Sequence, residues 1–256
     1  MMFTGSIGFY DRGVMDYYNT YMQMCEHGEV VETKGAKYLK WAVDDKLELW
    51  TTFKNGEAEV VFRSYYAGDA RMTVGLIEKM PRPNSSLSDG AFLCRSKAFA
   101  GAGWIAGQVP FVFDTPDYYR YDDLKLPRLT SVQLTGFAFR VMGFETEDEY
   151  EEAFPRDEEG YGWDPKHFIP AYMLNPRGEG GELQPATTQL SGFVLDTGII
   201  TNPLTGLDFC WIKVDTIGGE VDVVCSPDKL GGYLVTGGIA TLDCYLYGRL
   251  IDDTSN

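Results

Sequence analysis

The sequence predicts a mainly β fold, a β-rich α+β chain arranged in two similar halves, and three observations predict it. The 256 residues include 16 tyrosines, 15 phenylalanines and 29 glycines, a composition suited to pleated apolar faces joined by tight turns. Two stretches, residues 46–64 and 207–230, alternate with period two around a glycine-containing centre. The segments "SVQLTGFAFRVMGF" and "TGGIATLDCYLYGR" carry apolar residues at matching positions. A globular chain is expected, with disorder confined to residues 177–186 and 252–256.

The chain opens with a helical pattern. In "RGVMDYYNTYMQMCEH", Val14, Tyr17, Tyr18, Tyr21, Met22 and Cys25 fall at helical spacing and Gly28 supplies a stop. This short helix is expected to cover one end of a barrel. The period then changes to two. "KLELWTTFKNGEAEVVFRS" reads as a hairpin turned at Asn55-Gly56. That centre places Leu49, Thr51 and Phe53 on one face with Phe62, Val60 and Ala58. The reverse face sets Glu48 opposite Arg63, Trp50 opposite Val61 and Thr52 opposite Glu59.

Further strand-like runs, "ARMTVGLIEKM" and "GAFLCRS", flank the connector "PRPNSSLSDG". "AFAGAGWIAG" lacks the spacing of a phosphate-binding loop and reads as a loop. Residues 126–144 supply the closing strand of the first half. An acidic insert follows, "FETEDEYEEAFPRDEE", in which Thr146 and Glu149 fit a capping box at the start of a helix. Three domains are expected: residues 1–144, an insert at 145–189, and 190–256.

The second half repeats the plan. A two-residue turn at Gly218-Gly219 puts Ile212, Val214 and Thr216 on one face with Val221, Val223 and Cys225, and leaves Trp211, Lys213 and Asp215 beside Asp222 and Val224. Aligning Gly143 with Gly248 matches Leu134 to Ile239, Phe137 to Leu242, Phe139 to Cys244 and Val141 to Leu246. A glycine-interrupted first strand, a glycine-turned hairpin, a short connector and a closing strand ending in Gly-Arg-Leu resemble the OB-fold, a five-stranded Greek-key barrel. The resemblance covers residues 190–251 and, less fully, 38–144. It implies two tandem OB-like barrels, with ligands meeting the outward side of strands two and three, where Trp211 and Lys213 stand.

Composition narrows the chemistry. A net charge of −16 sets the average field against nucleic acid, while leaving room for a locally basic groove. No apolar run reaches the length of a membrane-spanning helix and no cleavable leader is legible, so a cytoplasmic protein is expected. Cysteines 25, 94, 210, 225 and 244 are scattered through apolar runs and read as reduced core residues. His27 and His167 lack a nucleophile or metal-spaced partner, and neither CxxC nor HExxH occurs, so no metal and no cofactor is expected.

The residues singled out for binding are therefore aromatic and acidic. Trp50, Trp211 and Lys213 mark the hairpin faces, unless the hairpins pack against each other and enclose both indoles. Tyr118, Tyr119 and Tyr121, interleaved with Asp114, Asp117, Asp122 and Asp123, suit a sugar or cation site or a loop packed on the barrel. Glu147, Asp148, Glu151 and Glu152 suit a basic protein partner or a solvated helix. The expected function is a non-enzymatic interaction protein; a small-ligand or oligosaccharide binder and a carboxylate-dependent hydrolase are the alternatives.

Overall fold

The structure, a computed structural model, describes residues 4–9, 14–54, 56–59, 61, 63–82, 88–96, 109–160, 162–176 and 185–251. Asn55, Val60, Phe62, the glycine-rich stretch at 98–107, most of the segment at 177–186 and the tail at 252–256 lie outside them. The described chain is mainly β.

Helix α1 (Val14–His27) precedes a small sheet of β1 (Glu29–Glu32), β2 (Lys37–Ala42), β3 (Leu47–Lys54), β4 (Glu57–Ala58) and β5 (Arg63–Tyr66), in the order β1-β2-β3-β4 with β5 also on β3. The helix ends where predicted: the Gly28 amide closes on the Met24 carbonyl. Its buried side differs from the expected one. Met24 is fully buried and Tyr21 donates from its hydroxyl to the Ala58 carbonyl, while Tyr18, Met22 and Cys25 face solvent. The helix packs on this small sheet, against β2.

The first hairpin holds its predicted register next to the turn, where Phe53 pairs with Ala58 and Lys54 with Glu57. Farther out the ladder slips by two residues, so Glu48 opposes Tyr65 and Trp50 opposes Arg63. A slip of two preserves the side of each residue, because side chains alternate with period two. Both sides of β3 are buried, however: Leu47, Leu49, Trp50 and Thr51 are all within 1% of fully enclosed.

The remaining strands are β6 (Met72–Pro81), β7 (Gly90–Ser96), β8 (Pro110–Asp114), β9 (Arg128–Phe144), β10 (His167–Pro170), β11 (Thr187–Thr201), β12 (Asp208–Thr216), β13 (Gly219–Cys225), β14 (Leu230–Gly232) and β15 (Ile239–Leu250). They form one mixed sheet whose hydrogen bonds close twice. One ring runs β6-β7-β8-β15-β9 and back to β6; the other runs β11-β12-β13-β9-β15 and back to β11. Strands β9 and β15 belong to both rings, so the sheet crosses the sequence boundary at residue 144. Helices α2 (Glu147–Ala153) and α3 (Ala171–Leu174) lie in the connection between β9 and β11.

The second hairpin turns one residue earlier than expected, at Ile217-Gly218, with Thr216 opposite Gly219. Again the ladder moves by two and the apolar face survives. Ile212, Val214, Val221, Val223 and Cys225 are completely buried.

The shared β9–β15 ribbon has two distinct faces. On one, Leu134 pairs with Gly248 and Gly136 with Leu246. A side-chain carbon at Gly136 would stand 2.8 Å from Cys244 Sγ, and one at Gly248 would stand 2.6 Å from Leu134, so both rings close around glycine on this face. The opposite face pairs Gln133 with Arg249, Thr135 with Tyr247 and Phe137 with Tyr245. The small N-terminal sheet packs there: Thr135 donates to the Tyr66 carbonyl at 2.7 Å and Tyr65 donates to Gln133.

Candidate functional site

A cleft of about 360 Å³ opens where the β5–β6 connection, the turn at Tyr118–Tyr121 and the end of β15 meet. Arg71 and Arg120 stand at its rim, and Arg249 and Gln133 form its base with Tyr65 and Tyr121. Each wall has a local cause. Pro116-Asp117 leads into a single 3-10 turn whose Tyr118 and Tyr121 are buried, their rings 6.1 and 5.5 Å from that of Phe92. Arg120 between them is left half exposed. Gly90 permits this packing, since a side-chain carbon there would stand 2.4 Å from Tyr118.

The opposite wall is held by one buried carboxylate. Asp222, on β13, accepts from the Ala70 amide at 2.8 Å, from Gln133 Nε2 at 3.1 Å and from Trp211 Nε1 at 2.9 Å. Gly68 passes so close that a side-chain carbon would lie 2.0 Å from Asp222 Oδ2. The connection is thereby turned outward, and Arg71 donates back to the Gly68 and Ala70 carbonyls at 3.1 and 2.8 Å.

Arg249 is the electrostatic centre. Its guanidinium lies 4.1 Å from the Tyr65 ring centroid and 4.8 Å from that of Trp50, and it donates to Glu48 Oε2. Lys40 reaches the other Glu48 oxygen at 3.3 Å, and Trp50 Nε1 donates to the carboxylate at 2.7 Å. Burial alone would raise the Glu48 carboxyl, but Arg249, the Trp50 hydrogen bond and Lys40 hold it below its ordinary value. Arg249 is pushed the other way: burial alone would lower its pKa, but Asp117, Tyr65 and Glu48 raise it above its ordinary value.

One contact beneath the base of the cleft is an ion pair without a hydrogen bond. Arg249 Nε faces Asp117 Oδ2 at 3.7 Å, too long for a hydrogen bond, and neither atom has a hydrogen-bond partner among the described residues. Asp117 and Glu48 do not line the cleft; among the described residues that do, the one carboxylate, Asp69, is bound by Lys46 at 2.9 Å. The cleft thus presents guanidinium donors in a chain of net charge −16.

The residues singled out from sequence divide between this site and other surroundings. Tyr121 lines the cleft, Trp50 lies behind Arg249, and Trp211 reaches the site through Asp222. Trp50 is wholly enclosed and Trp211 is half-buried beneath Lys46, 5.5 Å from the ring. Lys213 pairs with Glu220 at 2.8 Å. Tyr118 carries Lys79 over its ring at 4.6 Å, and burial pushes its phenol up to about 12. Tyr119 donates its amide to the Tyr38 hydroxyl at 3.2 Å. Glu147, Asp148, Glu151 and Glu152 are exposed on α2, whose Tyr150 packs with Phe144, Phe154 and Ile239; none of the four borders the cleft.

The aspartates near the tyrosines do not converge. Asp114 pairs with Arg82, Asp122 with Lys79 and Asp123 with Lys34. No group of three histidine, cysteine or acidic side chains among the described residues could hold a metal ion. No helix there is long and apolar enough to cross a membrane. His167 contacts the Asp164 carbonyl through Nδ1 at 2.9 Å, and burial lowers its pKa.

Arg71, Arg120, Gln133, Asp222 and Arg249 escape a reading based on motifs. The available signal was a polar residue interrupting an apolar strand, as in "GEVDVVC" and "YLYGRL". Comparison of the chain with protein-family models, curated proteins and solved structures returns no match.

Proposed function

We propose that the chain is a non-enzymatic binding protein built from two OB-like barrels, and that its ligand presents an oxyanion, carboxylate or phosphate, to the arginine-lined cleft. The observation that carries this reading is the Arg249 guanidinium at the base of a cleft rimmed by Arg71 and Arg120. A guanidinium already gripped by buried carboxylates is pre-oriented, and rim arginines add the planar donors that suit an oxyanion.

The strand plan supports the two-barrel reading. In each ring, three consecutive strands form a meander and the third runs parallel to the closing strand of the other half, as β8 does to β15 and β13 to β9. An OB-like reading expects this strand order, with the fifth position exchanged between halves. β6 and β11 each carry one register shift, between Leu76 and Glu78 and between Val194 and Asp196. Matching those shifts sets Val132 beside Leu242 and Phe137 beside Tyr247, five residues away from the alignment of Gly143 with Gly248.

Calorimetric titration of the whole chain with inorganic phosphate, citrate and neutral glucose at low ionic strength tests the proposal. Saturable heat with the anions, weakening as salt is added, is expected. Flat titrations with every anion would overturn it. A basic protein partner on the acidic surface is a second reading, favoured by the exposure of Glu147, Asp148, Glu151 and Glu152 on α2. Trp50 offers no stacking platform, so an aromatic-face reading rests on Trp211.

A further inference from the structure

Five cysteines are distributed over the chain, and one pair differs from the rest. Cys210 and Cys225 are register partners across the β12–β13 ladder. Their neighbours on the same face, Ile212 and Val223, are likewise direct partners, so the two sulfurs project to the same side. The other cysteines have no such relation: Cys94 opposes Leu76 and Phe111, Cys244 opposes Thr188 and Ala138, and Cys25 is exposed on α1.

Directly opposed residues in an antiparallel ladder have Cα atoms about 4.5–5.5 Å apart, inside the range of about 4.4–6.8 Å that a disulfide spans. The pair lies at the open end of the hairpin, away from its turn: Cys210 is the third residue of β12 and Cys225 the last of β13. Strand ends open locally more readily than strand centres. Both thiols are buried, so only a small oxidant fits the site.

We propose that Cys210 and Cys225 are a redox pair, which hydrogen peroxide converts into a cross-strand disulfide. The thiols are chemically distinct. Facing each other across the ladder, the two thiols shift in opposite directions: the neighbouring Cys225 lowers the pKa of Cys210, while Cys210 and burial raise that of Cys225. Cys210 is therefore the attacking sulfur. Its thiolate takes one peroxide oxygen, the O–O bond breaks, and the departing hydroxide is protonated to water, leaving a sulfenic acid. The Cys225 sulfur then attacks Cys210 sulfur; the S–O bond breaks, and hydroxide leaves as a second water with the Cys225 proton. Two thiols are oxidised and one peroxide is reduced. An external dithiol reverses the change.

The test treats the whole chain, with Cys25→Ser to remove the exposed thiol, with hydrogen peroxide, then alkylates it in denaturant and maps its peptides. A Cys210–Cys225 linkage with Cys94 and Cys244 alkylated is expected. Alkylation of all four remaining thiols, or linkage to Cys94 or Cys244, overturns the proposal. Added singly, C225S is expected to hold a dimedone-reactive sulfenic acid at Cys210, whereas C210S leaves Cys225 as a thiol; the reverse pattern overturns the assigned roles. Mapping of the Cys25→Ser chain decides the linkage even if either serine variant fails to fold.

Discussion

The guanidinium of Arg249 lies 4.8 Å from the centroid of the Trp50 indole, joining the end of β15 to the second face of β3 across a buried carboxylate, Glu48. An ion pair of this kind is worth little as a net gain, because both charges are desolvated, but losing one partner strands the other. Arg249→Met is therefore expected to destabilise the fold by about 3–5 kcal/mol in urea unfolding. The double change with Glu48→Met should recover part of that loss. If the double variant is as unstable as the sum of the two single ones, the coupling is absent.

The same carboxylate fixes a pH dependence. Glu48 is held below its ordinary value of 4.5, so its contribution is fully present above that value and is lost as pH falls through the lower folded pKa. Asp114 has the opposite sign: burial raises its carboxyl despite Arg82 and Tyr245, so protonation as pH falls favours the folded state. Unfolding free energy measured from about pH 7 to about pH 3 should fall less steeply in Glu48→Gln than in the parent chain, and more steeply in Asp114→Asn. Parallel curves for all three proteins would contradict the assignment.

What was legible in the sequence follows from which interactions are local. The hairpin faces were legible because a two-residue slip leaves Ile212, Val214 and Val223 on the same side, whatever the turn. Ring closure was not legible: β13 meets β9, and β8 meets β15, through parallel contacts between residues far apart in sequence, with no turn to announce them. The exposure of Trp50 was left open by the sequence for a different reason. Gln133 and Thr135 alternate with apolar residues as a solvent-facing edge would, yet they are covered by Tyr65 and Tyr66 and satisfied by hydrogen bonds. Alternation reports polarity; burial also depends on what packs above it. The cleft inherits this ambiguity, since its arginines follow no motif.

Arg120 separates ligand recognition from folding. It is half exposed, and its nearest carboxylate oxygen, on Asp117, is 3.8 Å away. Arg120→Gln should leave stability within about 0.5 kcal/mol of the parent chain. The same change should weaken oxyanion binding by about 1.5–3 kcal/mol, tenfold or more in Kd, if the ligand takes a charged hydrogen bond from this side chain. Calorimetric titration with citrate beside a urea melt checks both halves. Unchanged affinity would place the oxyanion away from this rim.

Gly68 offers the sharpest test of how the cleft wall is held. Its backbone crosses Asp222 with no room for a methyl group: the added carbon would lie 2.0 Å from Oδ2 and 2.2 Å from Cγ. Gly68→Ala must displace either the connection or the carboxylate, and the carboxylate cannot move freely because Gln133 and Trp211 also donate to it. Overpacking of this kind costs about 1–3 kcal/mol, and a buried donor left unpaired costs a further ~1–3 kcal/mol. A lower melting temperature is therefore expected, together with altered Trp211 emission as its Nε1 loses its acceptor. Gly68→Ala with native stability and unchanged tryptophan emission would mean that Asp222 does not hold the wall.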